Sequence, residues 1–229
     1  MVAPIEARYK AIEQVRERFN HKQILELASG LLPRGAILSQ DPEIAFIESD
    51  LPGMIQQKQQ LLQQLIGTRP NLHFLALDAT SRPNPLSLSH YLHPEKPVTI
   101  LCEGLLMYLS FEEKRQVFAN VRELLQTYGG VWITPDFNTK EALALWQNEP
   151  ALQKADRKIA SLTSRSFSET QFDNRDRAKQ FALDQGFQVE EFSMLEVIDQ
   201  LSSISMLGID LERTKPFLAA TPVFALSLV

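Results

Sequence analysis

Five short apolar runs in this sequence end on or beside an acid. Glu26 and Gly30 close the first, Glu48 and Asp50 the second, Asp78 the third, Glu103 the fourth and Asp136 the fifth. Carboxylates gathered at one place attract a cation and repel phosphates. They also offer hydrogen-bond acceptors to ribose hydroxyls and to an adenine amino group. The loop after the first run, "ILELASGLLPRG" at 24–35, has the outline of a nucleotide-type turn but carries Ala28, Ser29 and Gly30 in place of closely spaced glycines. A dinucleotide needs such glycines so that its pyrophosphate can meet backbone amides at a helix start.

Other reactive side chains are less informative. Cys102, the single cysteine, lies inside an apolar run and reads as a small buried hydrophobe, and one cysteine excludes an internal disulfide. His90 and His93 are spaced like metal ligands, yet two ligands without a third group do not make a zinc site. Asp173 and Asp176 read as a helix start. Tyr108 stands equally well as a substrate-facing or a core tyrosine.

These residues need a scaffold, and the periodicities supply one. An amphipathic helix is expected over about 4–20, with Ile5, Tyr9, Ile12 and Phe19 at helical spacing. Strands are expected at "QILELA", "IAFIESDLP", "LHFLAL", "PVTILCEG" and "VWITPDF". The Gln-rich stretch 53–67 reads as a helix with Ile55, Leu62, Leu65 and Ile66 along one side. Ser110 and Glu113 form a capping-box pair for a helix whose face carries Val117, Val121, Leu124, Leu125 and Tyr128, and Gly129-Gly130 stops it. A helix around 174–185 then leads to "FQVEEFSM", and the chain closes on "TPVFALSLV".

Strand–helix alternation of this kind predicts an α/β, doubly wound, mostly parallel seven-stranded sheet with helices on both faces and an antiparallel last strand. Ligands of such sheets bind beyond the carboxyl ends of the strands, where the acids lie. S-adenosylmethionine has no phosphates and carries a sulfonium and an amino-acid tail, so it suits this loop and these acids better than a dinucleotide does. Glu26 is then a candidate for the cofactor's amino group, against a plain turn-capping role.

The stretches "ILELASGLLPRG", "FIESDLPGMIQQK", "FLALDAT" and "ILCEGLLMYLSFEEKRQVF", in this order, resemble the leucine carboxyl methyltransferase family of class I, Rossmann-like, S-adenosylmethionine-dependent methyltransferases. The likeness is nearest to bacterial members that include O-methyltransferases of polyketide tailoring, and runs from about Arg8 to Phe137. It implies that Arg8 meets the cofactor's carboxylate and that Gly30 lets backbone pass close to it. It further implies that Asp50 binds the ribose diol, that Asp78 and Ala79 flank the adenine, and that Glu103 lies near the charged end.

Ala28 departs from the family's commoner glycine. Seven residues precede Arg8, and the chain of 229 residues is short for the family. Both features favour a small-molecule acceptor over a protein tail. A net charge of −5 with no long basic run counts against nucleic acid. No stretch reaches about 18 apolar residues, which counts against a membrane span. The N-terminus has no apolar signal core, so a cytoplasmic protein is expected.

One domain over 1–229 is expected, with 138–180 as a substrate cover carrying Trp146, Lys154, Arg157, Lys158, Arg165 and Phe167. None of His21, His73, His90 and His93 falls on the expected substrate side, which favours a carboxylate or easily ionised hydroxyl acceptor. A non-catalytic scaffold on the same fold and a nicotinamide-dependent oxidoreductase are the rival readings.

Overall fold

The computed structural model describes residues 2–82, 88–147 and 170–229, with side chains omitted at 146–147. Seven strands form one sheet: β1 Gln23–Leu27, β2 Ala45–Asp50, β3 Leu72–Ala76, β4 Val98–Cys102, β5 Gly130–Thr134, β6 Phe187–Phe192 and β7 Val223–Leu228. The strand order is β3-β2-β1-β4-β5-β7-β6. The first five strands are mutually parallel, and β7 runs antiparallel to both β5 and β6. The doubly wound expectation and the antiparallel last strand both hold.

Among the described residues the α-helices are α1 Val2–Phe19, α2 Arg34–Leu38, α3 Pro52–Ile66, α4 Phe111–Tyr128, α5 Lys140–Gln147, α6 Arg175–Asp184, α7 Ser202–Leu207 and α8 Leu211–Ala220. Side chains alternate across each strand, so two cores form. Leu25, Ile100 and Trp132 pack with Val117, Phe118 and Val121 of α4 and with Ala178 of α6. Ile24, Phe46, Leu101 and Ile133 pack on the other face with Ala7, Ala11, Ile12 and Val15 of α1.

Local chemistry sets the helix ends. Ser110 accepts from the Glu113 amide while Glu113 accepts from the Ser110 amide at 2.8 Å, the reciprocal cap expected for α4. Gly129 ends that helix at φ 68°.

Two expected faces are corrected. On α1 Ile12 is buried as expected, but the buried line runs through Ala3, Ala7, Ala11 and Val15, while Ile5 is 46% exposed. Small residues four apart let the helix lie close on the sheet and turn Ile5 toward the strand ends. On α3 the buried residues are Ile55, Lys58 and Leu62, with Ile66 packed on the same core, while Leu65 lies off that stripe and is 75% exposed.

Between β6 and β7 lie a 3-10 turn at Met194–Gln200 and helices α7 and α8, the last containing Pro216. Leu201 begins α7 without a capping side chain. Glu6 of α1 replaces it, accepting from Ser202 N at 3.0 Å, Ser202 Oγ at 2.8 Å and Ser203 N at 2.9 Å. Burial opposes the Glu6 charge, but Lys10 and these donors outweigh it and hold the carboxyl well below its ordinary range. A depressed acid stabilises the fold above its unfolded value and loses that contribution as pH falls. Glu6→Ala is expected to cost about 1 kcal/mol near neutral pH, read as faster amide exchange across 202–207, with the cost shrinking in acid.

Candidate functional site

Parallel pairing brings the carboxyl ends of β1 to β5 to one edge. The order reverses between β1, which leads outward through β2 and β3, and β4, which leads toward β5. A crevice at that reversal is the usual ligand position in open α/β sheets. The loops after β1 and β4 flank it. Ala28 and Gly30 adopt left-handed φ of 51° and 49°, and Gly104 has φ 76°. Ala28 therefore takes the turn that glycine commonly supplies, at a cost of about 1 kcal/mol. A Cβ at Gly30 or Gly104 would meet nothing within 4 Å, so both loops border open space.

Asp50 secures the first loop. Its Oδ2 accepts from Gly30 N at 2.8 Å and its Oδ1 from Leu51 N at 2.7 Å. Leu51, not Asp50, begins α3, so the carboxylate ties the end of β2 to the turn after β1 instead of capping the helix. Ser29 N donates to Ser49 O at 2.9 Å, and Ser49 Oγ to Glu26 O at 2.7 Å.

Glu26, Glu48 and Glu103 follow Ile24, Phe46 and Leu101 in alternation, so all three face α1, α2 and α3. There the picture of a bare acidic rim is corrected. Glu26, Glu48, Glu103 and Asp136 are buried, and each is engaged from inside. The fully buried Arg34 donates through Nε to Glu13 at 2.6 Å, through Nη1 to Glu26 and through Nη2 to Glu103 at 2.9 Å. The Tyr9 ring lies over this guanidinium, 4.7 Å from the ring centre. Arg8 Nε binds the other oxygen of Glu103 at 2.8 Å. Buried Lys58 binds Glu48 at 2.5 Å and the Ser29 carbonyl at 3.2 Å.

Arg34 and Lys58 were not among the expected site residues. Lys58 had a signal, since it is spaced with Ile55 and Leu62 on the apolar stripe of α3. A cation within an apolar stripe requires a buried partner. Arg34 stands at the start of α2, where a helix disfavours a cation unless acids lie nearby.

Burial pushes the Glu26 carboxyl up to about 7, against the pull of Arg34, and leaves Oε2 without a partner. A raised acid favours the fold below its unfolded value and loses that contribution as pH rises through the folded one. Stability is therefore expected to decline between about pH 4.5 and about 7 by the share of Glu26. Glu26→Gln should flatten that segment of the profile, measured as urea midpoints at pH 5 and pH 8.

The remaining expected residues sit around this cluster. Leu77 N donates to Asp50 O at 2.9 Å, which sets Asp78 and Ala79 beside the end of β2. Asp78 is exposed and closes a turn with Thr80 N at 2.9 Å and Thr80 Oγ1 at 2.7 Å. Ala79 O accepts from Asn120 at 2.9 Å. Arg8, Glu26 and Glu103 are thus joined through Arg34, and Gly30 through Asp50, while Asp78 and Ala79 stand at the outer strand.

Beyond β5, Asp136 accepts from the amides of Gly104 at 2.9 Å, Leu105 at 2.7 Å and Leu106 at 2.9 Å, shaping the turn after Glu103. Burial pushes its carboxyl up despite those donors. Beside it opens a small cleft. Arg8, Asp136 and Asn138 give it a polar side; Ile5, Met194 and Phe217 give it an apolar one. Burial pushes the Tyr108 hydroxyl up, with Asp136 adding to the effect.

Three histidines belong to the opposite edge. His21 contacts Thr99 at 3.0 Å, the His93 amide donates to Gln23 at 2.6 Å, and His73 lies near the start of β3. Among the described residues, no group of three or more His, Cys, Asp or Glu is arranged to hold a metal ion. Cys102 is buried and its thiol is pushed well up by burial. No described helix is long and apolar enough to cross a membrane. Asp173 pairs with Lys140 at 2.5 Å, while Asn174 caps α6. Lys154, Arg157, Lys158, Arg165 and Phe167 lie outside the described residues, as does the side chain of Trp146.

Comparison with known proteins agrees with this geometry. The family model described as leucine carboxyl methyltransferase matches residues 1–122. A Mycobacterium tuberculosis protein provisionally named as an S-adenosyl-L-methionine-dependent methyltransferase is 31% identical over 106 residues, 45% of this chain and 34% of that protein. The match thus spans about a third of that relative's length. A DUF574 family protein from Streptomyces avermitilis superposes with a TM-score of 0.62 at 14% identity, covering 99% of this chain and 82% of its own. Magnesium protoporphyrin IX methyltransferase from Synechocystis, solved with bound SAH, gives 0.56 at 14% identity, covering 100% and 84%. At such identities the two structures establish the fold alone.

Proposed function

This chain belongs to the leucine carboxyl methyltransferase family, and we propose that it binds S-adenosylmethionine in the β1–β4 crevice and methylates an oxygen of a small molecule. The observation that carries this reading is the Gly30–Asp50 strap, with open space over Gly30 and Gly104, at the point where strand order reverses. A carboxylate oxygen has two acceptor sites, so Asp50 retains capacity for ribose hydroxyls after binding the loop amides. Exposed Asp78, with Ala79, suits an adenine edge. Arg8 suits the donor's carboxylate. The unpaired Oε2 of Glu26, together with Glu103, suits its ammonium.

When bound, the donor supplies a methyl group made electrophilic by its sulfonium. The protein's part is to align an acceptor oxygen with that methyl and to exclude water. We assign the acceptor to the cleft beside β5, with residues 138–180 as its cover. The support for that cover is at its two ends: Phe172 N donates to Asn138 O at 3.0 Å, and Lys140 N to Phe172 O at 2.9 Å.

Neither Glu103 nor Asp136 is a free base, and Glu26, whose Oε2 is unpartnered, is fully buried away from the cleft. Both oxygens of Glu103 are taken by arginines, and both oxygens of Asp136 by backbone amides. An acceptor that arrives ionised needs no base, so a carboxylate or an acidic hydroxyl is the expected target. The test is methyl-labelled donor with matched pairs of small acids and alcohols. Label in base-labile esters supports this assignment. Label only in the alcohols overturns the acceptor class, and label in neither acceptor favours the scaffold reading.

A further inference from the structure

Arg34 is a buried cation that the donor contacts proposed above do not use. Its three donating nitrogens engage carboxylates from three parts of the fold: Glu13 on α1, Glu26 on β1 and Glu103 just past β4. Glu103 in turn holds Arg8, whose side chain is 28% exposed and borders the cleft. A guanidinium is a rigid planar fork, so its donors fix the relative positions of the groups they bind.

Asp50 and Asp78 are held differently. They depend on the amides of Gly30, Leu51 and Thr80. The two ends of the crevice therefore have separate supports.

We propose that Arg34 is a positioning residue for the amino-acid end of the methyl donor, setting Arg8 through Glu103 while leaving the adenosine end to the backbone-held acids. The inference rests on the S-adenosylmethionine reading. Without Arg34, Glu26 and Glu103 become buried carboxylates that have lost a shared cation. Glu103 then shifts, and Arg8 is released toward solvent.

Two ligands separate this role from a general loss of structure. S-adenosylhomocysteine and 5′-methylthioadenosine share the adenosine and the thioether, but only the first has the amino-acid tail. Calorimetric titration of both into wild type, Arg34→Lys and Arg34→Met reads the difference. S-adenosylhomocysteine should weaken about tenfold or more in Arg34→Met, the size of a lost charged hydrogen bond. Methylthioadenosine should stay within about twofold, a shift below that of one such bond.

Arg34→Lys keeps the charge but not the fork, so an intermediate loss confined to S-adenosylhomocysteine is expected. It also decides the matter alone where Arg34→Met does not fold. Equal weakening of both ligands, or of neither, overturns the positioning role. A folded wild type that binds neither ligand overturns the donor reading, and this inference with it.

Discussion

Gly130→Ala is expected to yield little or no folded protein. Gly130 opens β5 with φ 109°, in a region that residues with a side chain almost never occupy. An added Cβ would lie 1.9 Å from Val98 O and 2.7 Å from Val98 N. Those atoms are backbone, and Val98 pairs with Gln23 of β1 on one side and with Gly130 on the other. Relief would require β4 to leave its register in the middle of the sheet. Strain and overlap together should exceed about 4 kcal/mol, a large part of a domain's stability. Gly129→Ala is the comparator. Its φ of 68° carries strain, but its Cβ would meet nothing within 4 Å. With ψ of −179° the backbone is in the extended positive-φ region, and a cost of about 1–3 kcal/mol is expected there. Soluble yield and urea midpoints of the two variants check the contrast, and equal behaviour would refute the packing argument.

Lys58→Met is expected to damage the site's support severely. Lys58 and Glu48 form an ion pair with almost no exposure of either side chain. Removing one partner of a buried pair leaves an uncompensated charge, at about 3–5 kcal/mol. Burial already pushes the Glu48 carboxyl up, against the attraction of Lys58. Once the lysine is gone, protonation of Glu48 becomes the escape. The variant's deficit should therefore shrink as pH falls and grow as it rises. Lys58→Met with Glu48→Gln should recover a large part of the loss, because a neutral amide replaces the stranded charge. Full recovery of stability need not restore ligand affinity, since Lys58 also holds the Ser29 carbonyl of the first loop. Thermal unfolding at pH 5 and pH 8 for the single and double variants tests this. A pH-independent deficit would show that Lys58 acts by packing alone.

Elements whose determinants are local could be read from the chain. The alternating apolar runs marked all seven strands to within a few residues, and Ser110, Glu113 and Gly129 marked both ends of α4. The acids were equally visible, because parallel strands necessarily bring their ends to one edge. Their partners were not, since pairing across 8 to 95 residues has no local signature. Arg34 looked like the first residue of a short helix after the Gly30 turn, and Lys58 like one polar residue of a Gln-rich helix. Reading carboxylates without those cations produced the image of an open acidic rim, where the fold has a closed, internally compensated cluster. The α7–α8 stretch was illegible for a related reason. Helix α7 is capped by Glu6, 196 residues away, and α8 runs through Pro216, which weakens any helical signal. Ala28 shows the converse, since surrounding contacts hold an alanine in a turn that local preference assigns to glycine.

The central claim is that the β1–β4 crevice takes a sulfur nucleoside and not a dinucleotide. Calorimetric titration of the folded protein with S-adenosylhomocysteine, with NAD as control and Asp50→Ala as the site variant, tests it most directly. The expected result is saturable binding of the sulfur ligand, weakened about tenfold or more in the variant as ribose hydrogen bonds to a carboxylate are lost, and no binding of NAD. Folded protein that binds NAD, or that binds S-adenosylhomocysteine equally well without Asp50, would contradict the assignment of this crevice.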